Sequence, residues 1–426
     1  MKKLIITLIS VLTLNCLIII QNSEAQWVQQ YYTGSNSIAL NAIQFVNDNT
    51  GFIVGEEENF NFTGGVFLKT TNGGINWVRI NMNLTFDHWL YALSFINSNT
   101  GYVCGRTSYV RKTTDGGLTW ASYSVSENTP NFNTIQFMNE QTGYIGGRYG
   151  MRAKSTNGGV NWIMLDTAFT HINTLHFFDV NTGFMADAHS GIYRTTNGGL
   201  NWTYKFQTDS GGASYAFYGN SFVNENTGYM IGTTYYSGLL VKTTNKGIDW
   251  SVVRTVQNEI LSVYALNNLR IYVGVSSPYI LFSSDGGINW SNQSVPTIGI
   301  LITSIYFLNQ TVGFSCAGGY IYRTTNGGVN ISNISSEHPN EFMLFQNYPN
   351  PFNSETKLRF AIRKGGDVYL SIFDINGKEI KRQNFNQLQS GTYEVGLDLS
   401  NQPSGIYFCR MSINNVFKNA KLVLIK

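Results

Sequence analysis

A nine-residue string, KTTNGGINW at residues 69–77, returns in close copies through most of the chain. Aligned on its second glycine, the copies fall at Gly74, Gly117, Gly159, Gly199, Gly247, Gly287 and Gly328, at steps of 43, 42, 40, 48, 40 and 41 residues. A period of this length constrains the fold more than any single motif. Each unit is one supersecondary module, and it buries its apolar faces only by stacking on its neighbours.

A second signature precedes each copy: IQFVNDNTGFIVG (43–55), LSFINSNTGYVCG (93–105), IQFMNEQTGYIGG (135–147), LHFFDVNTGFMAD (175–187), SFVNENTGYMIG (221–232) and IYFLNQTVGFSCAGG (305–319). The sixth unit has decayed to VYALNNLRIYVG (263–274). Apolar alternation, a polar turn ending in glycine, then more alternation reads as a β-hairpin. A third short strand such as VFLKT (66–70) follows, then the Gly-rich turn, then a fourth strand beginning at the tryptophan. Four strands per unit and seven units predict an all-β chain built on a seven-bladed β-propeller over residues 26–334.

The tryptophans sharpen this expectation. Six units end in Trp77, Trp120, Trp162, Trp202, Trp250 and Trp290, whereas the seventh has Ile331. Trp27 lies 16 residues before Ile43, the spacing that separates Trp77 from Leu93. The strand at Trp27 therefore has no blade of its own and is expected to supply, or compete for, the outer strand of blade seven.

The turn has a mechanical reading. Asn72, Asp115, Asn157, Asn197, Asn245, Asp285 and Asn326 each precede glycine or lysine–glycine. Such pairs take the positive φ of tight turns, and the Asn/Asp and preceding Thr/Ser side chains satisfy loop N–H groups. A phosphate cradle needs a helix after the glycines and a P-loop lysine, and neither is present. The pattern resembles the Asp-box (BNR) repeat, Ser/Thr-x-Asp/Asn-x-Gly-x-x-Trp, matched at Thr70–Trp77, Thr113–Trp120, Ser155–Trp162, Thr195–Trp202, Thr243–Trp250 and Ser283–Trp290, with Thr324–Ile331 a degenerate copy. That resemblance implies a structural turn between the two outer strands, away from the ligand face. Short blades with an Asn-Thr-Gly-Phe/Tyr turn are most similar to the photosystem-assembly-factor (YCF48-like) branch.

The ends of the chain differ from the repeats. Lys2 and Lys3 precede an apolar run from Leu4 to Ile20, and Ser23-Glu24-Ala25 offers a cleavage site, so residues 1–25 read as a secretory signal peptide and the expected membrane contact. Residues 335–341 read as a polar linker. Residues 342–426 alternate between apolar segments and Gly-containing turns, which predicts a small antiparallel β-sandwich. The string Tyr348-Pro349-Asn350-Pro351-Phe352-Asn353, the Phe373–Lys378 turn and the Pro403–Tyr407 turn resemble the type A sorting domain of the type IX secretion system. This implies a Bacteroidetes-like bacterium, the type IX machinery as partner of residues 342–426, and a final location in the medium or on the outer surface.

Composition excludes several functions. Charged residues make up only 12% of the chain; residues 26–341 carry a net −3 (15 Lys+Arg, 18 Asp+Glu) and residues 342–426 a net +5 (11 against 6). Neither part has the basic run of a nucleic-acid binder. Cys104, Cys316 and Cys409 form no disulfide framework, and no metal-ligand spacing occurs, so no metal or cofactor is expected. A monomer is expected.

In a propeller the boxes share one face with the Asn-Thr-Gly turns, which leaves the opposite loops for binding. Those loops gather Glu56, Glu57, Glu58, His88, Trp89, Arg106, Tyr109, Arg148, Tyr149, Asp187 and His189 from blades one to four. Arginine with exposed aromatics suits protein or glycan recognition. The expectation is thus a non-catalytic binding propeller for a protein or glycan. The alternative is a sialidase- or xyloglucanase-like hydrolase, for which Asp187 opposite one of Glu56–Glu58 is the conceivable carboxylate pair.

Overall fold

The computed structural model describes residues 27–426, apart from 60–61, 83–87, 128–130, 166–169, 190, 208–214, 235, 297–300, 329–330, 336, 400–401 and 414–415. The expected signal peptide lies outside the described residues. Two compact units divide the described chain, one within Gln26–Val329 and one comprising Asn330–Lys426. Both are all-β; a single turn of 3-10 helix at Arg148–Gly150 is the one helical element among the described residues.

Residues Val28 to Thr324 form seven four-stranded antiparallel sheets. The first runs outward as Ile38–Phe45, Gly51–Asn59, Phe62–Thr70 and Val78–Arg79. Second strands such as Gly101–Gly105, Gly143–Gly147 and Gly183–Asp187 are buried along their whole length, because a neighbouring sheet covers each face. The glycine that opens them is required by packing: a Cβ on Gly51 would lie 2.6 Å from the ring of Phe45. The sheets follow one another as the blades of a β-propeller.

The repeated string builds the joints. Thr70 Oγ1 accepts the Gly74 N–H at 3.0 Å and donates to Asn72 Oδ1 at 3.0 Å, while Asn72 Oδ1 accepts the Asn76 N–H at 2.9 Å. Gly73 and Gly74 take φ of 67° and 73°, which a Cβ would disfavour. Thr113–Asp115–Gly117, Ser283–Asp285–Gly287 and the other boxes repeat these bonds. Thr119 donates to Asp115 from both hydroxyl and backbone, and this holds the exposed carboxyl down at about 2. A lysine of the preceding blade then reaches into the box: Lys69 to Gly116 O at 2.9 Å, Lys112 to Gly158 O at 2.9 Å, Lys242 to Gly286 O at 3.0 Å. Trp77, Trp120, Trp162, Trp202 and Trp250 meet aromatic rings edge-on. Trp120 lies 5.2 Å from Phe67 of the preceding blade and 6.3 Å from Phe95 of its own.

A second set of bonds ties the inner strands together. Gln44 binds both N and O of Phe95, Ser94 the N of Phe137, Gln136 both groups of Phe177, and Ser221 the N of Ala265. Tyr264 donates to Phe307 O at 2.9 Å, and Tyr306 closes the belt onto Phe45 O at 3.0 Å. In blade four the equivalent residue is His176, which instead stacks on Phe222 at 4.7 Å.

At the seam, Val28–Tyr32 pairs antiparallel with Tyr320–Thr324 as the outer strand of the last sheet. Trp27 is 0% exposed, donates from Nε1 to Gln293 Oε1 at 2.9 Å and meets Phe307 edge-on at 5.7 Å. It fills the place that Trp77 and Trp120 fill in their own blades. Strand Ile331–Ser335, which the repeat pattern assigns to the propeller, pairs instead with Gly391–Asp398 of the tail. The boundary therefore falls at Val329 rather than residue 334. With Trp27 occupying the aromatic site, Ile331 is not needed there.

The tail is two four-stranded sheets: Ile331–Ser335, Gly391–Asp398, Glu355–Ile362 and Met343–Leu344 in one, Glu379–Leu388, Gly366–Phe373, Gly405–Ile413 and Val416–Leu424 in the other, each in spatial order. The Tyr348–Asn353 motif clasps the last strand. Val423 N donates to Asn350 Oδ1, Phe352 N to Val423 O and Ile425 N to Phe352 O, each at 2.9 Å, with Phe352 buried.

Two stability measurements follow from the seam and the belt. Trp27→Ala removes a fully buried indole and should cost about 3–5 kcal/mol in urea denaturation, with Gln293 Oε1 losing its donor. Burial depresses His176 to about 4, while the unfolded imidazole titrates near ~6.5. The unfolded chain thus binds the proton more readily between those values, so this contribution is complete above pH ~6.5 and is lost as pH falls toward ~4, by up to about 3 kcal/mol. His176→Gln supplies the side chain that blades one and three use, and should flatten that part of the stability–pH curve.

Candidate binding face of blades one to four

The second and third strands of blade one run four residues past those of most other blades, which lifts Glu56, Glu57 and Glu58 above the loop face. Glu56 stands opposite Ala39 of the inner strand. Burial pushes its carboxyl above the usual range; the Asn41 side chain and Arg106 pull it down, and Glu58 adds to the rise. Its Oε2 is buried with no hydrogen-bond partner. Glu57 turns to its own outer strand and pairs with Arg79 at 2.6 Å.

Arg106 begins the loop after the second strand of blade two. Its N–H donates to Trp89 O at 2.9 Å, and its guanidinium carbon lies 4.4 Å from the centre of the Trp89 ring. The indole Nε1 is buried and without a partner. Asn41, Glu56, Trp89 and Arg106 therefore form one cluster where blades one and two meet, with His88 half-buried next to Trp89. Tyr109, at the start of the third strand of blade two, is exposed.

Arg148 repeats the position of Arg106 one blade on, since its N–H donates to Asn131 O at 2.8 Å. Tyr149 follows at φ 58°, donates its N–H to His171 Nδ1 at 3.0 Å and sets its ring edge-on to that imidazole at 5.5 Å, leaving the ring 70% exposed. Neither His171 nor Asn41 stood out in the sequence. Asn41 sits at the register shift within Ile38–Phe45 and His171 just before Ile172–Phe177, positions at which every blade has some residue.

Asp187 departs from the expectation. It is 2% exposed, and its Oδ1 accepts the N–H groups of His189 and Gly191 at 2.9 Å each while its Oδ2 accepts the Tyr193 hydroxyl at 3.1 Å. Burial and then the Asp187 charge raise the Tyr193 phenol. This carboxylate ties down a loop and does not reach into the binding face; His189 is exposed beside it. Among the described residues no group of three or more His, Cys, Asp or Glu could hold a metal ion, and Cys104, Cys316 and Cys409 are buried free thiols.

The fold defines the class: a β-propeller joined to a β-sandwich tail. Residues 75–216 match the family model of the photosynthesis system II assembly factor YCF48, and residues 346–426 match that of the secretion system C-terminal sorting domain. The chain thus carries a YCF48-like propeller and a sorting domain of the type IX secretion system, which makes it a secreted or cell-surface protein. Among solved structures, YCF48 bound to D1 peptide is 16% identical, with a TM-score of 0.56 over 70% of this chain and 96% of that one. YCF48 from Cyanidioschyzon merolae is 17% identical, with a TM-score of 0.55 over 70% and 98%. A GH74 xyloglucanase from Xanthomonas campestris is 9% identical, with a TM-score of 0.53 over 79% of this chain and 59% of its own. At these identities the likeness is one of fold. No curated protein matches the chain.

Asp187→Ala should loosen the loop at 188–191 and lower stability by about 1–3 kcal/mol, measured by thermal melting. Binding by the face around Arg106 should be unchanged in the same variant.

Proposed function

We propose that this chain is an exported recognition propeller without catalytic activity, which grips an extended protein segment on the loop face of blades one to four. The observation that carries the reading is the Arg106 guanidinium stacked on Trp89 beside the half-buried Glu56. Stacking fixes the guanidinium plane, so its N–H groups are pre-oriented for a carboxylate or a backbone carbonyl. Arg148 with the exposed Tyr149 ring gives a second foothold one blade away, the spacing an extended segment would bridge. Support also comes from the similar YCF48 structure solved bound to D1 peptide.

A hydrolase is disfavoured by the placement of its candidate carboxylates. Asp187 is consumed within its own loop and Glu57 is ion-paired with Arg79. Asp187, the carboxylate expected to face Glu56–Glu58, is thereby removed from the pair that glycoside hydrolysis requires.

The test is retention of the purified chain on an immobilised peptide array and on a glycan array. Peptide binding should weaken by about a hundredfold in Arg106→Ala/Arg148→Ala, the scale expected for losing two arginine anchors. Retention on glycans alone, or peptide binding indifferent to both arginines, would refute the reading. So would reducing sugar released from xyloglucan by the parent chain and not by Glu56→Gln.

A further inference from the structure

The second sheet of the tail carries a face that its own sandwich leaves open. Val368, Leu370 and Ile372 of one strand and Tyr407, Cys409 and Met411 of the next point into the core. Their alternates must emerge on the other side, where polar residues are the rule. Instead Tyr369, Phe373, Ile406 and Phe408 emerge there, and the last strand adds Phe417; Phe408 is 43% and Phe417 59% exposed.

Register orders this face into rows. Tyr369 stands opposite Ser412, which stands opposite Phe417. Four residues along, Phe373 stands opposite Phe408, which stands opposite Lys421. Between these rows runs Arg382, Ser371, Arg410 and Asn419. Arg382 Nε donates to Ser371 Oγ at 3.1 Å, and Arg410 Nε donates to Asn419 Oδ1 at 3.3 Å with its guanidinium 5.2 Å from the Phe373 ring centre. Asp367 and Glu379 sit at the ends of the face, and Glu379 is ion-paired with Arg382 at 2.6 Å. Lys421 is held in place because its carbonyl accepts from Gln346 and Asn350 of the sorting motif segment.

We propose that this face is where the export apparatus takes hold of the tail, and that the surface it meets is a protein patch of apolar side chains interleaved with carboxylates. The proposal rests on reading residues 342–426 as a sorting domain and adds where and by what chemistry it is read. Exposed rings set around an ordered arginine are the residue types that dominate protein interfaces. A lipid surface fits less well, because inserting both apolar rows would carry the cationic row between them into hydrocarbon. A protein can place carboxylates along that row and repay the desolvation. The tail's net charge of +5 adds attraction at longer range.

The test uses the full chain, expressed in a bacterium with type IX secretion and followed by immunoblot of medium, surface and periplasm. Phe408→Ser/Arg410→Glu/Lys421→Glu should cut the exported fraction about tenfold or more, consistent with the loss of central interface anchors. The folded protein should accumulate in the periplasm, its melting temperature within a few degrees of the parent. Phe417→Ser alone, at an exposed ring, should give a partial loss and serves if the triple variant fails to fold. Arg363→Glu/Lys364→Glu, away from the face, should export normally. Normal export of the face variants, with export abolished by deleting 342–426, would overturn this proposal and leave the sorting-domain reading standing. Export that survives the deletion would overturn both. Binding of the purified chain to anionic vesicles that the triple variant abolishes, with export unaffected, would assign the face to a membrane and likewise overturn it.

Discussion

The propeller depends on hydrogen bonds that leave one blade and end on the backbone of the next. A four-stranded sheet is saturated along its own ladders, and its faces offer only apolar contact, which is strong but indifferent to rotation. Direction comes from polar side chains at two radii. Near the channel, Gln44, Ser94, Gln136, Ser221, Tyr264 and Tyr306 each reach the inner strand that follows. Farther out, Lys69, Lys112 and Lys242 reach the box turn of the next blade. Each such bond contributes only about 1 kcal/mol. Repeated around a closed ring, they set the angle between blades that packing alone would leave loose.

Closure explains why the two ends of the repeat array are irregular. The last blade takes its outer strand from Val28–Tyr32, so the ends of the propeller are joined by a ladder of backbone bonds rather than by packing alone. That arrangement covers the edge that Tyr320–Thr324 would otherwise leave open at the seam. It also releases the residues that would have completed blade seven in sequence, and these begin the tail's first sheet. The substitution of isoleucine at residue 331 and the solitary Trp27 are thus two sides of one exchange.

Much of this was legible because repetition averages out local noise. One Asn-Gly-Gly turn is ambiguous, but seven in register, six of them followed by a tryptophan, leave a single architecture. The position of Trp27 was legible by the same spacing. The fate of Ile331–Ser335 was not, because its partner strand lies some 60 residues downstream, beyond the repeats, and no local pattern records the pairing. At the loop face the reading was mixed. Arg106 and Trp89 were named from their loops, and they meet. Asp187 was named on the same grounds and proved to be a loop fastener, since a carboxylate that caps N–H groups and one that awaits a ligand look alike in sequence. Asn41 and His171 were missed because one lies within an inner strand and the other just before one, and neither belongs to the loops that vary from blade to blade.

That contrast separates the carboxylates of this chain by what they face. Asp115, Asp179 and Asp285 accept backbone N–H groups in tight turns, and Asp187 does the same in its own loop. The turn bonds hold Asp115 and Asp179 below the usual carboxylate range. Glu56 is the opposite case: burial raises it, one oxygen is unsatisfied, and an aromatic-stacked arginine stands beside it. A group that costs stability in the free protein persists only where something else compensates, and functional sites are where such costs gather. Against these turn-holding aspartates, Glu56 stands at the junction of blades one and two with a buried oxygen that no turn of the architecture uses.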